Sequence, residues 1–215
     1  FQGALGAYSD EACRSAQPYM DPLPCQNFEE MIEAVREGQA DLAMVPVENS
    51  TYGRVADIHR LLPESGLHIV DEAFTRVRIS LMANPGTELE DVKTIRAHLV
   101  LLPQARNFLD QTGIEPISAA DSAGAAAELA KSPNPHSGVL ASAIAAEIYG
   151  LNILAQNIED QGHNTTRFLI MSREPNHARR GDGKMITTIV FQVRNIPAAL
   201  YKAMGGFATN GVNML

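Results

Sequence analysis

The sequence predicts an α/β fold with one large domain and a shorter region after it. Short apolar runs alternate with amphipathic stretches along most of the 215 residues, as in chains that alternate strands and helices. The composition, with 45% hydrophobic and 20% charged residues, is that of a globular protein with a buried core. A polar, glycine-containing segment from Arg173 to Lys184 interrupts the alternation and predicts a linker near residue 180.

The first elements are predicted from helix capping and apolar spacing. Asn27 and Glu30 form a capping-box pattern, and apolar residues from Phe28 to Val35 recur at helical spacing. Gly38 suits the left-handed position that often ends a helix. Leu42 to Val47 is a continuous apolar run, which predicts a buried strand.

The same reasoning assigns the rest of the chain. Further strands are predicted at His68 to Val70, Ile79 to Met82, Val92 to Ile95, Ile114 to Ile117, Val139 to Ala141, Asn152 to Leu154 and Phe168 to Met171. Further helices are predicted at Ile58 to Leu62, Gln104 to Leu109, Ala125 to Ala130 and Ala143 to Tyr149. Parallel sheets covered by helices are therefore expected, with ligands beyond the carboxyl ends of strands. Beyond the linker, Met185 to Val193 is predicted as a strand and Pro197 to Ala208 as a helix.

Composition and charge exclude several classes of function. The net charge is −8 and no Lys/Arg cluster is present, so a nucleic acid partner is not expected. No run of about 18 apolar residues and no export leader is visible, so no membrane association is expected. Cys13 and Cys25 form neither a metal-ligand pattern nor a disulfide framework. We therefore expect a reduced, cytoplasmic protein without a metal site.

Two polar clusters lie at predicted strand ends in the first quarter of the chain. Phe1 to Ser9 is a glycine-bearing turn before a helix, which either binds an anion through backbone N–H groups or is an ordinary strand–helix turn. Glu48 to Thr51 suits ligand contact, and equally suits a helix start capped by Ser50 or Thr51. The Glu48 carboxylate would need a partner if buried, and Arg54 is a candidate.

A third cluster, His163 to Phe168, enters the last strand of the main domain. A threonine hydroxyl can donate to a leaving oxygen and an arginine can hold a carboxylate, but a strand start also favours threonine. Along a regular strand Thr166 and Arg167 would face opposite sides of the sheet. His98 is either catalytic or a partly buried histidine with its hydrogen bonds satisfied. Ser142 lacks the flanking pattern of a hydrolase nucleophile.

These clusters, in this order and spacing, resemble the prephenate dehydratase family. The segments that carry the resemblance are Phe1-Gln2-Gly3, Gly6-Ala7-Tyr8-Ser9, Ala40 to Ala43, Pro46 to Ser50, Gly53 to Val55, Asp121 to Ala126 and Asn164 to Phe168. Beyond the linker, Pro197 to Tyr201 and Gly205 to Ala208 resemble the first helix of the regulatory ACT domain that follows in this family. The ordered set covers nearly the whole chain and is more specific than any single motif.

The resemblance implies both an architecture and a reaction. Residues 1–175 would form a two-lobed dehydratase domain of the type II periplasmic-binding-protein kind, built on central sheets. Residues 176–184 would be a linker, and residues 185–215 the beginning of a ferredoxin-like α+β ACT domain. The implied enzyme is a carbon–oxygen lyase of phenylalanine biosynthesis in the shikimate pathway. It removes carbon dioxide and water from prephenate to give phenylpyruvate, and it needs no cofactor and no metal.

The resemblance also implies roles for individual residues. Thr166 would be the catalytic donor to the leaving hydroxyl. The substrate-binding residues would be Glu48, Asn49, Ser50, Thr51, Ser142, Thr165, Arg167 and Phe168. Ala198, Ala199 and Leu200 would contribute to a regulatory site for L-phenylalanine, with Ala198 standing where glycine is usual. Self-association as a homodimer or homotetramer is expected.

The chain departs from the family pattern at one further place, and two alternatives stay open. Ala97-His98 stands where a Ser-His or Thr-His pair is common in the family. An arogenate dehydratase, whose substrate carries an amino group on the side chain, would share all these motifs. A non-catalytic protein that binds a small anion would share the two-lobed fold.

Overall fold

The computed structural model describes residues 1–177, 179, 181, 183, 185–189 and 191–213 of the chain. The chain divides into two compact units, Phe1–His177 and Ala178–Leu215. The first unit contains two sheets, each at the centre of one lobe. Lobe 1 comprises residues 1–76 and 164–177, and lobe 2 comprises residues 79–156. The predicted α/β class with two lobes is confirmed.

The strands are short and the helices are mostly of two or three turns. The strands of the described residues are β1 Leu42–Asn49, β2 Gly53–Arg54, β3 His68–Arg76, β4 Ser80–Ala83, β5 Thr94–His98, β6 Glu115–Ala119, β7 Ser137–Ala141, β8 Asn152–Gln156 and β9 Thr165–Ser172. The α-helices are α1 Tyr8–Ala16, α2 Phe28–Arg36, α3 Ala56–Leu61, α4 Arg106–Thr112, α5 Ser122–Lys131, α6 Ala143–Tyr149 and α7 Ala199–Thr209. Short 3-10 helices occupy Leu62–Glu64, Leu89–Asp91 and Leu102–Ala105.

Lobe 1 is built on a four-stranded sheet in the order β2-β1-β9-β3, in which every neighbouring pair is antiparallel. The expectation of parallel pairing was wrong for this lobe. Strands β1 and β3 do run in the same direction, as strand–helix alternation predicts. However, β9 returns from lobe 2 and inserts between them with the opposite direction.

Each face of this sheet has its own apolar core. Phe168 and Ile170 of β9 pack on the α1 side with Met44 and Ala12, all of them buried. The alternate residues of β9 pack on the α2 and α3 side. This second core includes Leu169, Met171, Val35, Ile32 and Ile58. The parity of β9 therefore decides on which face of lobe 1 each of its side chains lies.

Lobe 2 is built on a mixed five-stranded sheet in the order β6-β5-β7-β4-β8. Strand β5 is parallel to both β6 and β7, so the parallel prediction holds for this part. Strand β4 is antiparallel to β7 and β8. The α5 and α6 helices cover this sheet with buried alanines, among them Ala125, Ala126 and Ala145.

The predicted helix start before Phe28 is confirmed by its hydrogen bonds. The Glu30 backbone N–H donates to Asn27 Oδ1 at 2.8 Å, and the Gln26 N–H donates to the Glu30 carboxylate at 2.8 Å. A short polar side chain and a glutamate thus satisfy donors that the helix itself leaves free.

Among the described residues, no helix combines the length and the apolar composition that a membrane span requires.

The second unit contains α7, Ala199–Thr209, whose bounds lie within two residues of the predicted helix Pro197 to Ala208. The predicted strand Met185 to Val193 is not formed over residues 185–189 and 191–193, which have no regular secondary structure. Its apolar side chains, Ile189 and Phe191 for example, are about half exposed. A strand needs a hydrogen-bonded neighbour, and none pairs with this segment among the described residues. The remaining residues of the predicted linker and ACT segment, Ala178, Arg180, Asp182, Lys184, Val190, Met214 and Leu215, lie outside the described residues.

Candidate active site

Thr166 and Asn49 form a pair where β1 ends and β9 begins. The two residues are opposite each other across the strands. A register shift between Pro46 and Glu48 inserts an extra residue, Val47, into β1. Asn49 Nδ2 donates a hydrogen bond to Thr166 Oγ1 at 3.0 Å. The sequence clusters at the ends of these two strands therefore meet in one place.

The orientation of the Asn49 amide is fixed by the backbone of the following turn. Asn49 Oδ1 accepts from the backbone N–H groups of Thr51 at 2.9 Å and Tyr52 at 3.0 Å. The amide nitrogen must then point toward Thr166. Because Thr166 Oγ1 accepts this hydrogen bond, the hydrogen of its own hydroxyl group is left to donate elsewhere.

Two further side chains extend this network to lobe 2. Asn49 Nδ2 also donates to Asn164 Oδ1 at 2.6 Å, and Asn164 Nδ2 donates to Gln104 Oε1 at 2.6 Å. Gln104 Nε2 in turn donates to the Val100 carbonyl oxygen at 2.8 Å. Asn164 is only 2% exposed, so its amide depends on these partners. The Thr166 site therefore lies where the two lobes meet.

Sequence reasoning did not assign a role to Asn164 or Gln104. Asn164 stood inside a quoted motif, next to Thr165 and Thr166, without a function of its own. The signal at Gln104 is that it is the only polar side chain between Leu99 and Ala105. A lone polar group in an apolar segment needs a hydrogen-bonding partner once the segment packs.

Ser50 and Thr165 hold the entry of β9 against the end of β1. The Ser50 backbone N–H donates to the Thr165 carbonyl oxygen at 2.9 Å, and the Thr165 N–H donates to Ser50 Oγ at 2.9 Å. Ser50 Oγ donates to the His163 carbonyl oxygen at 3.1 Å. Thr51 is exposed, and its backbone N–H serves Asn49. The cluster predicted as a possible helix cap is instead a strand end and a turn that organise the site.

Arg167 lies on the opposite face of the sheet from Thr166. Its guanidinium contacts the Glu72 carboxylate at 2.8 Å and the Glu48 carboxylate at 3.4 Å. Glu48 lies directly across from Arg167, on the face away from Asn49 and Thr166. The partner of Glu48 is thus Arg167, whereas Arg54 forms no ion pair in the described part of the chain.

Phe168 and Ser142 lie in packed surroundings. The Phe168 side chain is 1% exposed and belongs to the apolar core on the α1 side of lobe 1. Ser142 is also 1% exposed, directly before α6, and Ser142 Oγ donates to the Gly6 carbonyl oxygen at 2.6 Å. Neither side chain is hydrogen-bonded to the Thr166 network, which consists of Thr166, Asn49, Asn164 and Gln104. Ser142 instead joins the two lobes.

The glycine turn near the beginning of the chain packs against helix α6 of lobe 2. Gly6 has a positive φ of 85°, and a Cβ atom there would lie 2.9 Å from Ala145 Cα and Cβ. Tyr149 Oη donates to the Leu5 carbonyl oxygen at 2.8 Å. The turn predicted as a possible anion site therefore serves as a contact between the lobes, with a residue that must be glycine.

Two more tyrosines connect the parts of the first unit. Tyr52 Oη donates to the Val100 carbonyl oxygen of lobe 2 at 3.2 Å. Tyr8 Oη donates to the carbonyl oxygen of Arg78, in the segment that crosses between the lobes, at 2.9 Å. Burial raises the pKa of both Tyr8 and Tyr149, and the carboxylates of Glu11 near Tyr8 and Asp121 near Tyr149 raise it further. Both phenols therefore stay protonated as donors at neutral pH.

The remaining candidates are distributed over both units. His98 lies at the end of β5, and its Nδ1 accepts from the Val100 backbone N–H at 3.3 Å. Ala198, at the start of α7, has a left-handed backbone with φ of 61°, and Ala199 and Leu200 begin the helix. Within the residues the structure describes, no group of His, Cys, Asp or Glu side chains is arranged to hold a metal ion.

The arrangement can donate one oriented hydrogen bond without needing an ionised group. Thr166 offers a hydroxyl hydrogen and Asn49 fixes that hydroxyl. Asn164 binds Asn49 and is itself held by Gln104 of lobe 2. A preorganised donor of this kind stabilises an oxygen that gains negative charge as it leaves. The geometry therefore suits an elimination reaction with an oxygen leaving group.

Comparisons with known proteins agree with this chemistry. A family model described as prephenate dehydratase matches residues 1–176. A relative from Komagataeibacter europaeus, named bifunctional N-acyl-homoserine lactone acylase/prephenate dehydratase, is 50% identical over 214 residues, covering 100% of this chain and 76% of the relative. A relative from Arabidopsis thaliana, named arogenate dehydratase/prephenate dehydratase 1, chloroplastic, is 42% identical and covers 100% of this chain and 54% of the relative.

A solved structure supports the same assignment. The prephenate dehydratase from Arthrobacter aurescens in complex with L-Phe is 29% identical, with a TM-score of 0.84. The match covers 100% of this chain and 73% of that structure. The family match spans most of the chain and includes every residue of the Thr166 network. From its sequence, its two-lobed fold and this site, the chain belongs to the prephenate dehydratase family.

Proposed function

We propose that the protein converts prephenate to phenylpyruvate, with Thr166 as the donor to the departing hydroxyl. The observation that carries the proposal is the hydrogen bond from Asn49 Nδ2 to Thr166 Oγ1, at 3.0 Å, from an amide held by two backbone N–H groups. This contact leaves the Thr166 hydrogen free for the substrate. Ser50, Thr51 and Thr165 shape the surroundings of the site.

The reaction balances without a cofactor. The bond between the ring and its carboxylate breaks and releases carbon dioxide. The electron pair moves through the ring and expels the hydroxyl group on the opposite ring carbon. That oxygen takes up one proton and leaves as water, and the ring becomes aromatic. The hydrogen bond from Thr166 stabilises the departing oxygen, and the proton is supplied by solvent through this contact.

The choice between prephenate and arogenate is tested by supplying each to the full chain. Phenylpyruvate from prephenate, at a higher kcat/KM than phenylalanine from arogenate, is the expected result. The opposite preference would make the protein an arogenate dehydratase, which is the activity named for several plant relatives. Turnover of neither substrate would contradict the proposal and favour a small-anion binding protein.

The proposal includes regulation through the second unit. We infer that residues 185–215 belong to an ACT domain, that L-phenylalanine lowers the activity through it, and that the protein is a homodimer or homotetramer. Support comes from the sequence resemblance around Ala198 and from the L-Phe complex of the Arthrobacter aurescens relative. A cytoplasmic location is supported by the free thiols of Cys13 and Cys25. Titration with phenylalanine and sedimentation of the full-length protein test regulation and assembly.

A second candidate activity is amide hydrolysis of N-acyl-homoserine lactones. It is favoured by the 50% identity to the Komagataeibacter europaeus relative, whose name includes this acylase. We propose testing release of homoserine lactone from acyl chains of several lengths, by wild type and by Thr166→Ala. Loss of both activities in the variant would indicate one shared site. Release that is undetectable in wild type would eliminate the second activity.

A further inference from the structure

Arg167 joins three adjacent strands of the lobe 1 sheet through two carboxylates. Glu48 is on β1, Arg167 on β9 and Glu72 on β3. Arg167 Nε and Nη2 contact Glu72 Oε2 at 2.9 and 2.8 Å, and Nη1 contacts Glu48 Oε1 at 3.4 Å. The side chains of Arg167 and Glu72 are each 27% exposed, so solvent screens this pair less than a fully exposed one. We call these three residues the clamp.

We propose that Arg167 is a positioning residue, which holds Asn49 against Thr166 through the clamp and does not bind a substrate carboxylate. The inference rests on the proposed dehydratase function. Glu48 immediately precedes Asn49, and Arg167 immediately follows Thr166. The clamp therefore fixes the cross-strand pair Glu48–Arg167. The next pair along the two strands is Asn49–Thr166, which forms the site.

The bulge in β1 explains why this position needs support. The register between β1 and β9 shifts between Pro46 and Glu48, which interrupts the strand pairing just before the site. The clamp lies directly after the interruption and connects β1 to β9 and β3 again. A charge-assisted contact here restores the alignment that the bulge would otherwise loosen.

Charge argues against a substrate role for Arg167. One guanidinium already faces two carboxylates, so the cluster carries a net negative charge and would repel a third carboxylate. Strand alternation argues in the same direction, because the guanidinium lies on the face of the sheet opposite to the Thr166 hydroxyl. A substrate that contacts Thr166 would therefore not be in contact with Arg167.

The test separates kcat from KM in variants of the clamp. In the full-length protein, Arg167→Gln and Glu72→Gln should each lower kcat by about tenfold or more, because small displacements of reacting groups are costly. KM for prephenate should change by less than about twofold in both, since no binding contact is removed. Glu33→Gln is the matched control. It breaks the exposed Arg36–Glu33 pair in the same lobe, at 3.2 Å, and should leave both constants unchanged.

A charge reversal gives a second, independent readout. Arg167→Glu alone should lose most activity, and adding Glu72→Arg should recover part of the lost kcat, because the ion pair across β9 and β3 is rebuilt. A large rise in KM for Arg167→Gln, together with unchanged constants for Glu72→Gln, would overturn the inference and make Arg167 a carboxylate ligand. Absence of any recovery in the double variant would also count against it.

Wild-type activity separates this inference from the proposed function. If the wild type turns over neither prephenate nor arogenate, the proposed function fails. If the wild type is active, but Arg167→Gln raises KM strongly and Glu72→Gln leaves both constants unchanged, only the positioning role fails. Should Arg167→Gln not fold, Glu72→Gln alone decides the question, because it keeps the side chain volume and removes the carboxylate charge.

Discussion

The direction of a single hydrogen bond, from Asn49 Nδ2 to Thr166 Oγ1, leaves the Thr166 hydroxyl free to donate. If the Asn49 amide were rotated by 180°, its oxygen would face Thr166 Oγ1 and accept a hydrogen bond from the Thr166 hydroxyl. The backbone N–H groups of Thr51 and Tyr52 prevent this by binding the amide oxygen. The tight turn after β1 therefore decides whether Thr166 acts as a donor.

Substitutions of Thr166 should separate the hydroxyl from the rest of the side chain. General acid assistance typically contributes about 10²–10⁴ in rate, so Thr166→Ala should lower kcat by that order with a small change in KM. Thr166→Ser keeps the hydroxyl and should recover most of the activity. Steady-state kinetics with prephenate measures both, with circular dichroism as the control for folding. A near-native kcat in a folded Thr166→Ala protein would move the donor role to another residue, with His98 next to test.

Ala198 carries a backbone conformation that favours glycine. Its φ of 61° is in the left-handed region, where a Cβ atom costs roughly 1–2 kcal/mol. Ala198→Gly should therefore stabilise the protein by up to about 1 kcal/mol, once the entropy that glycine loses on folding has been subtracted. Thermal unfolding measures this change. If the methyl group also weakens an effector site, the same variant should be inhibited at lower phenylalanine concentration, and unchanged inhibition would remove Ala198 from that argument.

The site was only partly predictable from the sequence. The motifs identified the two segments that meet, Glu48 to Thr51 and His163 to Phe168, because each follows or enters a clear apolar strand. Strand alternation also predicted that Thr166 and Arg167 face opposite ways. The role of Gln104 depends on a contact between lobes, which no local pattern contains. Phe168 was grouped with the site because it neighbours Thr166 and Arg167, although its side chain is in the core.

At the level of elements, alternation predicted the strands better than their pairing. The apolar runs predicted segments that overlap β1 and β3 to β9 in both lobes. Burial varies among these strands: every residue of β4 and β7 is buried, whereas most of β6 is exposed. The antiparallel sheet of lobe 1 was missed, since β9 joins β1 and β3 only after the whole of lobe 2 has intervened. Local patterns describe sequence neighbours, and the partner of β1 is not one. The two-residue β2 is too short for any pattern to predict.

The glycine turn before α1 offers a test of an element that joins the lobes. Gly6→Ala adds a left-handed penalty of roughly 1–2 kcal/mol and an overpacking cost of about 1–3 kcal/mol against Ala145. Gly86→Ala is the matched control, because Gly86 has a nearly identical φ of 86° and nothing within 4 Å of its Cβ position. Urea unfolding should show the larger loss for Gly6→Ala. Equal losses in the two variants would mean that the contact with Ala145 relaxes without cost.

On the scale of the first unit, the lobes are joined at several separate points. The Leu5–Gly6 turn contacts α6, Tyr52 contacts Val100, and Gln104 contacts Asn164. The last of these contacts belongs to the Thr166 network itself. Any rotation of one lobe against the other would therefore change the support of Asn49, and we expect the proposed activity to depend on how the lobes are arranged.

The position of β9 has a consequence for how the protein is made. Synthesis from the amino end completes lobe 2, whose strands are contiguous in sequence, before the ribosome adds the central strand of lobe 1. Until then β1 and β3 have no common neighbour, and the apolar core on each side of β9 is open. In a truncated chain that ends at residue 164, we expect lobe 2 to resist protease while lobe 1 is digested. In a chain that ends at residue 177, both lobes should resist digestion. Thr166 and its network thus assemble only after lobe 2, and we expect a chain released before β9 is made to have no activity.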